Sequence, residues 1–212
     1  MKIFNKFLLL IVLLLSNNIL FSATIESSIG FQSDFEDSSE REKWHLNTGA
    51  FGSECANQWY WGKVGANGGE YGLYISGDGG TSNYYTPTGT TVLAYREYTF
   101  DKGNYELSFD WQAGGLQTDG LYVCWIPVRD SIKLNSVSMS SLLPEWVERY
   151  AIDFDRATPY LSQTTWNSVL DTIYTNGEAY NLVFVWNNSV LAYSSLGAAI
   201  DNLVILQEGR CS

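Results

Sequence analysis

The sequence predicts an all-β protein folded as a two-sheet antiparallel sandwich. Three observations carry that prediction. Period-two alternation of apolar and polar residues recurs between turn-forming residues. Helical periodicity of any length is absent from the body of the chain. Aromatic residues reach 15% of the 212 residues, and large flat rings suit the gap between two packed sheets. Roughly ten short strands without helical layers leave a sandwich as the architecture that buries one face of each sheet.

The elements follow in order. Residues 57–64 place Trp59 and Trp61 on one strand face. Residues 71–76 and 91–100 are further strands. The alternation is clearest over 104–111. There Tyr105, Leu107, Phe109 and Trp111 point one way, and Asn104, Glu106, Ser108 and Asp110 the other. Residues 121–128 and 179–186 are apolar on both faces, as strands covered on two sides are. Residues 198–206 form the last strand. Gly, Asn and Asp clusters at 66–69, 77–80, 101–104 and 175–178 supply the turns. A serine-rich stretch precedes one short helix, expected over 142–150. No linker, low-complexity tract or internal repeat divides the chain, so residues 23–212 read as one domain.

The start is different. Lys2 and Lys6 precede an unbroken apolar run over 7–15, and Ser22-Ala23 closes the segment. This is the layout of a secretory signal peptide over residues 1–22, cleaved near Ser22 or Ala23. A spanning helix needs about 20 mostly apolar residues, and Asn17 and Asn18 break this run. No later segment is long and apolar enough to span, so no membrane insertion is expected after cleavage. The expected location is secreted, periplasmic or at the cell surface.

Charge narrows the partners. Twelve basic residues against 23 acidic ones give a net charge of −11. Loss of the two N-terminal lysines leaves ten basic residues and a charge of −13. Such a chain repels phosphate backbones and anionic membrane surfaces, so nucleic acid is excluded as a partner.

Three cysteines remain, Cys55, Cys124 and Cys211. An oxidising compartment favours one pair and one odd thiol. Cys211 is penultimate, where chain ends are mobile, so Cys55–Cys124 is the expected disulfide. The alternative is unpaired thiols, two of them acting as small core residues. A single His45 cannot build a zinc site.

Several phrases stand in a recognisable order. Ser33-Asp34-Phe35-Glu36 is followed by Asn57-Gln58-Trp59-Tyr60-Trp61-Gly62 and by Gly72-Leu73-Tyr74-Ile75-Ser76-Gly77-Asp78-Gly79-Gly80. Ala94-Tyr95-Arg96, Tyr105-Glu106-Leu107-Ser108-Phe109-Asp110-Trp111, Leu182-Val183-Phe184-Val185-Trp186-Asn187 and Ala199-Ile200-Asp201-Asn202-Leu203 complete the series. Over residues 30–206 the chain resembles the MAM-like jelly-roll domains of secreted and cell-surface proteins in Bacteroidetes-type bacteria. It is more distantly similar to jelly-roll carbohydrate-binding modules. The resemblance implies a jelly-roll β-sandwich of concanavalin A-like or galactose-binding-like type. It also implies a structural Ca²⁺ shared by a Glu on the first strand and an Asp on the last. The matching residues are Glu36 and Asp201, with Asp34 a weaker candidate on the same strand face. Calcium takes six to eight oxygens, and backbone carbonyls of the loop 65–70 are available. The plain alternative is a set of solvated edge carboxylates.

A sugar surface would use exposed rings with polar groups beside them. Tyr84 and Tyr85 lie in the polar stretch 81–86, and Trp146 lies in the insertion 129–150, so these three are the candidate ligand contacts. Trp59 and Trp61 share a strand face, which is more often core. Catalysis is not expected. The Glu-x-Asp-x-x-Glu pattern of lectin-type glucanases is absent, and Asp153 and Asp155 are only two acids. His45 has no Gly-x-Ser-x-Gly partner motif, and no phosphate loop or dinucleotide fingerprint occurs. The expected function is non-catalytic recognition of a glycan or another extracellular ligand. A protein–protein adhesion domain without sugar affinity is the alternative, and a glycosidase of lectin-like fold is the third reading.

Overall fold

The computed structural model describes residues 25–27, 29–48, 54–115, 119–130, 143–152, 159–190 and 195–209. The expected signal segment, Cys211, Asp153 and Asp155 lie outside the described residues.

The strands are β1 (Ile25–Ser27), β2 (Gly30–Ser33), β3 (His45–Leu46), β4 (Gln58–Gly62), β5 (Gly72–Ser76), β6 (Tyr84–Tyr85) and β7 (Thr90–Thr99). They continue with β8 (Gly103–Ala113), β9 (Gly120–Pro127), β10 (Gln163–Thr175), β11 (Ala179–Asn188), β12 (Ser195–Leu196) and β13 (Ala199–Gln207). Two short helices, α1 (Ser38–Arg41) and α2 (Glu145–Tyr150), interrupt them.

Two antiparallel sheets form the body. In one, β13 pairs β8 along one edge, and β8 pairs β10. The other edge of β13 is divided between β5 and β2, which carry β4 and β1 outward. The second sheet runs β3-β7-β11-β9. From β7 to β11 the chain alternates between the two sheets: β7, β9 and β11 lie in the second, β8 and β10 in the first. The chain therefore changes sheet at every connection from β7 to β11, and the fold is an antiparallel jelly-roll sandwich, as the sequence predicts.

The alternation of β8 explains its facing. Tyr105, Leu107, Phe109 and Trp111 are buried, while Asn104 and Glu106 are exposed. Phe184 of β11 reaches them across the gap, 5.6 Å from the Phe109 ring and 5.7 Å from Trp44, stacked on the latter. β11 is buried on both faces because α2 covers the outer side of the second sheet. There Val147 is fully buried among Leu93, Tyr122, Cys124, Ile126, Val183 and Val185.

Two differences from expectation concern these elements. β10, the longest strand, is not anticipated by the alternation. It is an edge strand, so Ser168, Leu170, Thr172 and Tyr174 face solvent whatever their polarity. The expected Cys55–Cys124 disulfide is also corrected: both thiols are free and buried. Cys55 belongs to the core between the sheets, whereas Cys124 packs beneath α2 on the outer side of the second sheet. A sheet separates the two clusters, so no bridge can span them.

Candidate functional site

Two places combine polar groups with an unusual environment. The first is the corner where β13 changes partner. Ile200 pairs Leu73 of β5, and Leu203 pairs Ser33 of β2. Asp201 and Asn202 stand at the change, where the register with β8 also shifts. Asn202 takes a left-handed conformation, φ 51°. Asp34 and Glu36 lie just beyond the end of β2 rather than on a strand, and the change of partner in β13 brings Asp201 near them.

Backbone amides already engage two of these carboxylates. Glu36 Oε1 accepts from the N–H groups of Glu70, at 2.6 Å, and Tyr71, at 2.8 Å. Asp201 accepts from the N–H groups of Asn67, at 2.6 Å, and Asn202, at 2.7 Å. The loop is drawn so close that a Cβ at Gly69 would run into the Glu36 carboxylate, and Gly69 itself has φ +62°. Asp110 joins from β8: its Oδ2 accepts from the side-chain amides of Asn67, at 2.9 Å, and Asn202, at 2.8 Å. Burial pushes the Asp201 carboxyl up to about 7. The two backbone hydrogen bonds pull it down, and the charges of Glu36 and Asp34 add to the rise.

The donor chemistry here is hard oxygen, which fits Ca²⁺. The number of side chains is the weaker point. Among the described residues no three His, Cys, Asp or Glu side chains are grouped closely enough to hold an ion by themselves. Any cation would need backbone carbonyls and water as further ligands.

The second place is a cleft of about 250 Å³ between α2 and β10. Trp125, Arg149, Tyr150, Ile152, Thr172 and Tyr174 line it. Its position follows from the excursion after β9. Val147 anchors α2 on the second sheet, Ala151 bridges Cys124 of β9, and the Ile152 N–H donates to the Val123 carbonyl. This holds α2 beside the free edge of β10. Two of the rings, Trp125 and Tyr150, are fixed by protein contacts. Trp125 Nε1 donates to the Tyr174 carbonyl at 3.0 Å, and its ring stacks on Tyr180 at 5.0 Å. The Tyr150 hydroxyl donates to Asp130 at 2.9 Å. An adjoining cleft of about 410 Å³ shares Ile152 and Thr172 and adds Glu106, Leu170 and Asp171. Together they make a groove along β10.

The rings singled out from sequence fare differently. Tyr84 is 54% exposed, so it remains a surface ring. Tyr85 is 1% exposed and meets Trp186 edge-on at 5.0 Å, which corrects its expected surface position. β6 is a strand, so adjacent residues face opposite sides. Trp146 packs in part against the cluster under α2 rather than standing free. The cleft rings Trp125, Tyr150 and Tyr174 are not among the predicted contacts. Trp125 and Tyr174 lie on strands and Tyr150 ends a helix. Only the docking of α2 against β10 brings them together.

No protein-family model matches the chain, and no curated protein does. Several solved structures are partly similar to it. The xylan-binding domain of carbohydrate-binding module family 22 superposes with a TM-score of 0.49 at 12% identity, over 85% of this chain and 96% of that one. A family 61 module solved with β-1,4-galactotriose gives 0.43 at 12%, over 78% and 88%. The K1 cleaved adhesin domain of Lys-gingipain from Porphyromonas gingivalis gives 0.45 at 14%, over 85% and 99%. At these values the likeness is one of architecture and extends to no residue or ligand.

Proposed function

We propose that the chain is a non-catalytic recognition module that works outside the cell and binds a glycan in the cleft between α2 and β10. One observation carries this reading: the rings of Tyr150 and Tyr174 and two polar side chains converge on an open groove that buried Trp125 also lines, with Trp125 and Tyr150 held in place before any ligand arrives. Sugars offer apolar faces to such rings and hydroxyls to the polar groups beside them, and fixed rings lose little freedom on binding. The N-terminal charge and apolar pattern supports export. The groove's carboxylates support the non-catalytic reading. Glu106 lies on the outward face of β8, while Asp171 opposes inward Leu107. Asp171 also accepts from the Tyr160 hydroxyl at 3.3 Å, so the two are not a free acid–nucleophile pair.

Titration calorimetry against a panel of soluble polysaccharides tests the reading. Tyr174→Ala removes a half-exposed ring, so the melting temperature should hold. Affinity should fall about tenfold, the equivalent of about 1.4 kcal/mol. No binding to any polysaccharide would favour the protein–protein adhesion alternative.

We also propose that Glu36 and Asp201 share a structural Ca²⁺, with carbonyls of the loop 65–70 and water as further ligands and Asp34 nearby as a weaker candidate. The support is the buried Asp201 carboxyl, raised by burial and by two neighbouring carboxylates, the kind of charge a cation relieves. Chelation is expected to lower the melting temperature by several degrees. An unchanged melt at negligible free calcium would leave these carboxylates as acceptors for the loop alone.

A further inference from the structure

Arg149 stands apart from the other cations around the cleft. Arg129, at the end of β9, is taken by Glu178 at 2.6 Å and lies 3.8 Å from Asp130. Asp130 in turn accepts from the Tyr150 hydroxyl. Elsewhere Lys43 and Arg96 share Glu40, and Lys63 pairs Glu70. Arg149 sits in the last turn of α2, is exposed, and lines the cleft with Tyr150 and Tyr174. Its guanidinium lies 5.8 Å from the Tyr150 ring centroid. Among the described residues it has no carboxylate partner, in a chain with 23 acidic residues. Asp130 is engaged by Arg129 and Tyr150, and Glu145 and Glu148 stand on the same short helix without an ion pair to Arg149, so its guanidinium is open to the groove.

Resting on the reading of the groove as a glycan site, we propose that Arg149 makes it selective for glycans that carry a carboxylate, the uronic-acid class. A guanidinium offers a planar fork that a carboxylate meets with two parallel N–H donors, and it stays charged at every physiological pH. The ring of Tyr150 and the edge of Tyr174 place the apolar sugar face beside that fork. The whole chain limits the ligand further. A net charge of −11 repels a dense polyanion at long range, so the fitting ligand carries isolated uronic acids on an otherwise neutral chain.

The test uses glucuronoxylan, gum arabic and xanthan, each beside its own carboxyl-reduced form, titrated against the wild-type chain and two variants. The expected result is at least one native polysaccharide bound about tenfold more tightly than its reduced form, with the difference shrinking as salt is raised. Arg149→Gln should abolish the difference, by weakening the native form far more than the reduced form. Tyr174→Ala should weaken both forms alike. Equal affinity for native and reduced forms, unmoved by Arg149→Gln but lowered by Tyr174→Ala, would overturn the selectivity and keep the glycan site. Absence of binding to every native and reduced form would overturn both. Melting curves of the two variants check that each is folded, and both changes are at exposed positions.

Discussion

Arg96 shows how far context overrides residue type. It is 1% exposed, with its guanidinium 4.3 Å from the Phe31 ring and 4.4 Å from that of Tyr98. Glu40, equally buried, lies 3.0 Å away and also receives Lys43 at 2.8 Å. An isolated charge at such a depth is costly, and the pair persists because each charge answers the other between two rings. Arg96→Met alone leaves the buried Glu40 carboxylate with Lys43 as its one remaining cation partner and should cost about 3 kcal/mol in urea unfolding. Arg96→Met together with Glu40→Leu should recover most of that loss. A double variant as unstable as the single one would show that ring packing, not charge pairing, holds the position. Nothing in the sequence marks Glu40 or Arg96 as buried. Their pairing joins the short α1 to β7, two elements far apart in the chain.

At the scale of elements, turn chemistry is the most legible part of the sequence. The turn over 77–80 is expected from its glycines and Asp78, and the structure gives the reason. Gly79 and Gly80 take φ of 74° and 86°. Asp78 Oδ1 accepts from Ser76 Oγ at 2.6 Å and from the N–H groups of Thr81 and Ser82, while Oδ2 accepts from Ser82 Oγ at 2.6 Å. The Ser76 and Ser82 hydroxyls, with the Ser82 and Thr81 amides, hold the Asp78 carboxyl down at about 2. Its folded pKa therefore lies below the unfolded one of about 3.9. The contribution is complete above the unfolded value and is lost as pH falls through about 2. Wild type should melt above Asp78→Ala near neutral pH, with the gap closing near pH 2. A gap that persists at pH 2 would assign the effect to the neutral hydrogen bonds. β10 is the opposite case. An edge strand needs no apolar outer face, so period-two counting passes over it, although its inner Ile173 is buried and Val169 packs against the core.

At the scale of the molecule, one aromatic core ties the two sheets into a unit. Phe184 of the second sheet contacts Trp44, Trp59 and Phe109. Phe184→Ala opens a cavity in that interlayer and should destabilise by about 3–5 kcal/mol. Tryptophan fluorescence and far-ultraviolet circular dichroism should still report one coincident transition. Separate transitions would mean that the sheets fold as independent units.

The sequence by itself determined the fold class, most strands and the turns. These rest on local periodicity and on the backbone preferences of glycine and asparagine. The tertiary structure decided which aromatics are core and which face a ligand. Tyr84 and Tyr85 are neighbours of one type, yet only one lies against Trp186. It also kept Cys55 and Cys124 on opposite sides of a sheet, and it assembled the cleft of Trp125, Arg149, Tyr150 and Tyr174. Those four residues come from three elements whose proximity depends on how an excursion docks across a sandwich. No local pattern encodes that docking, because it is set by which buried surface α2 covers once both sheets have formed.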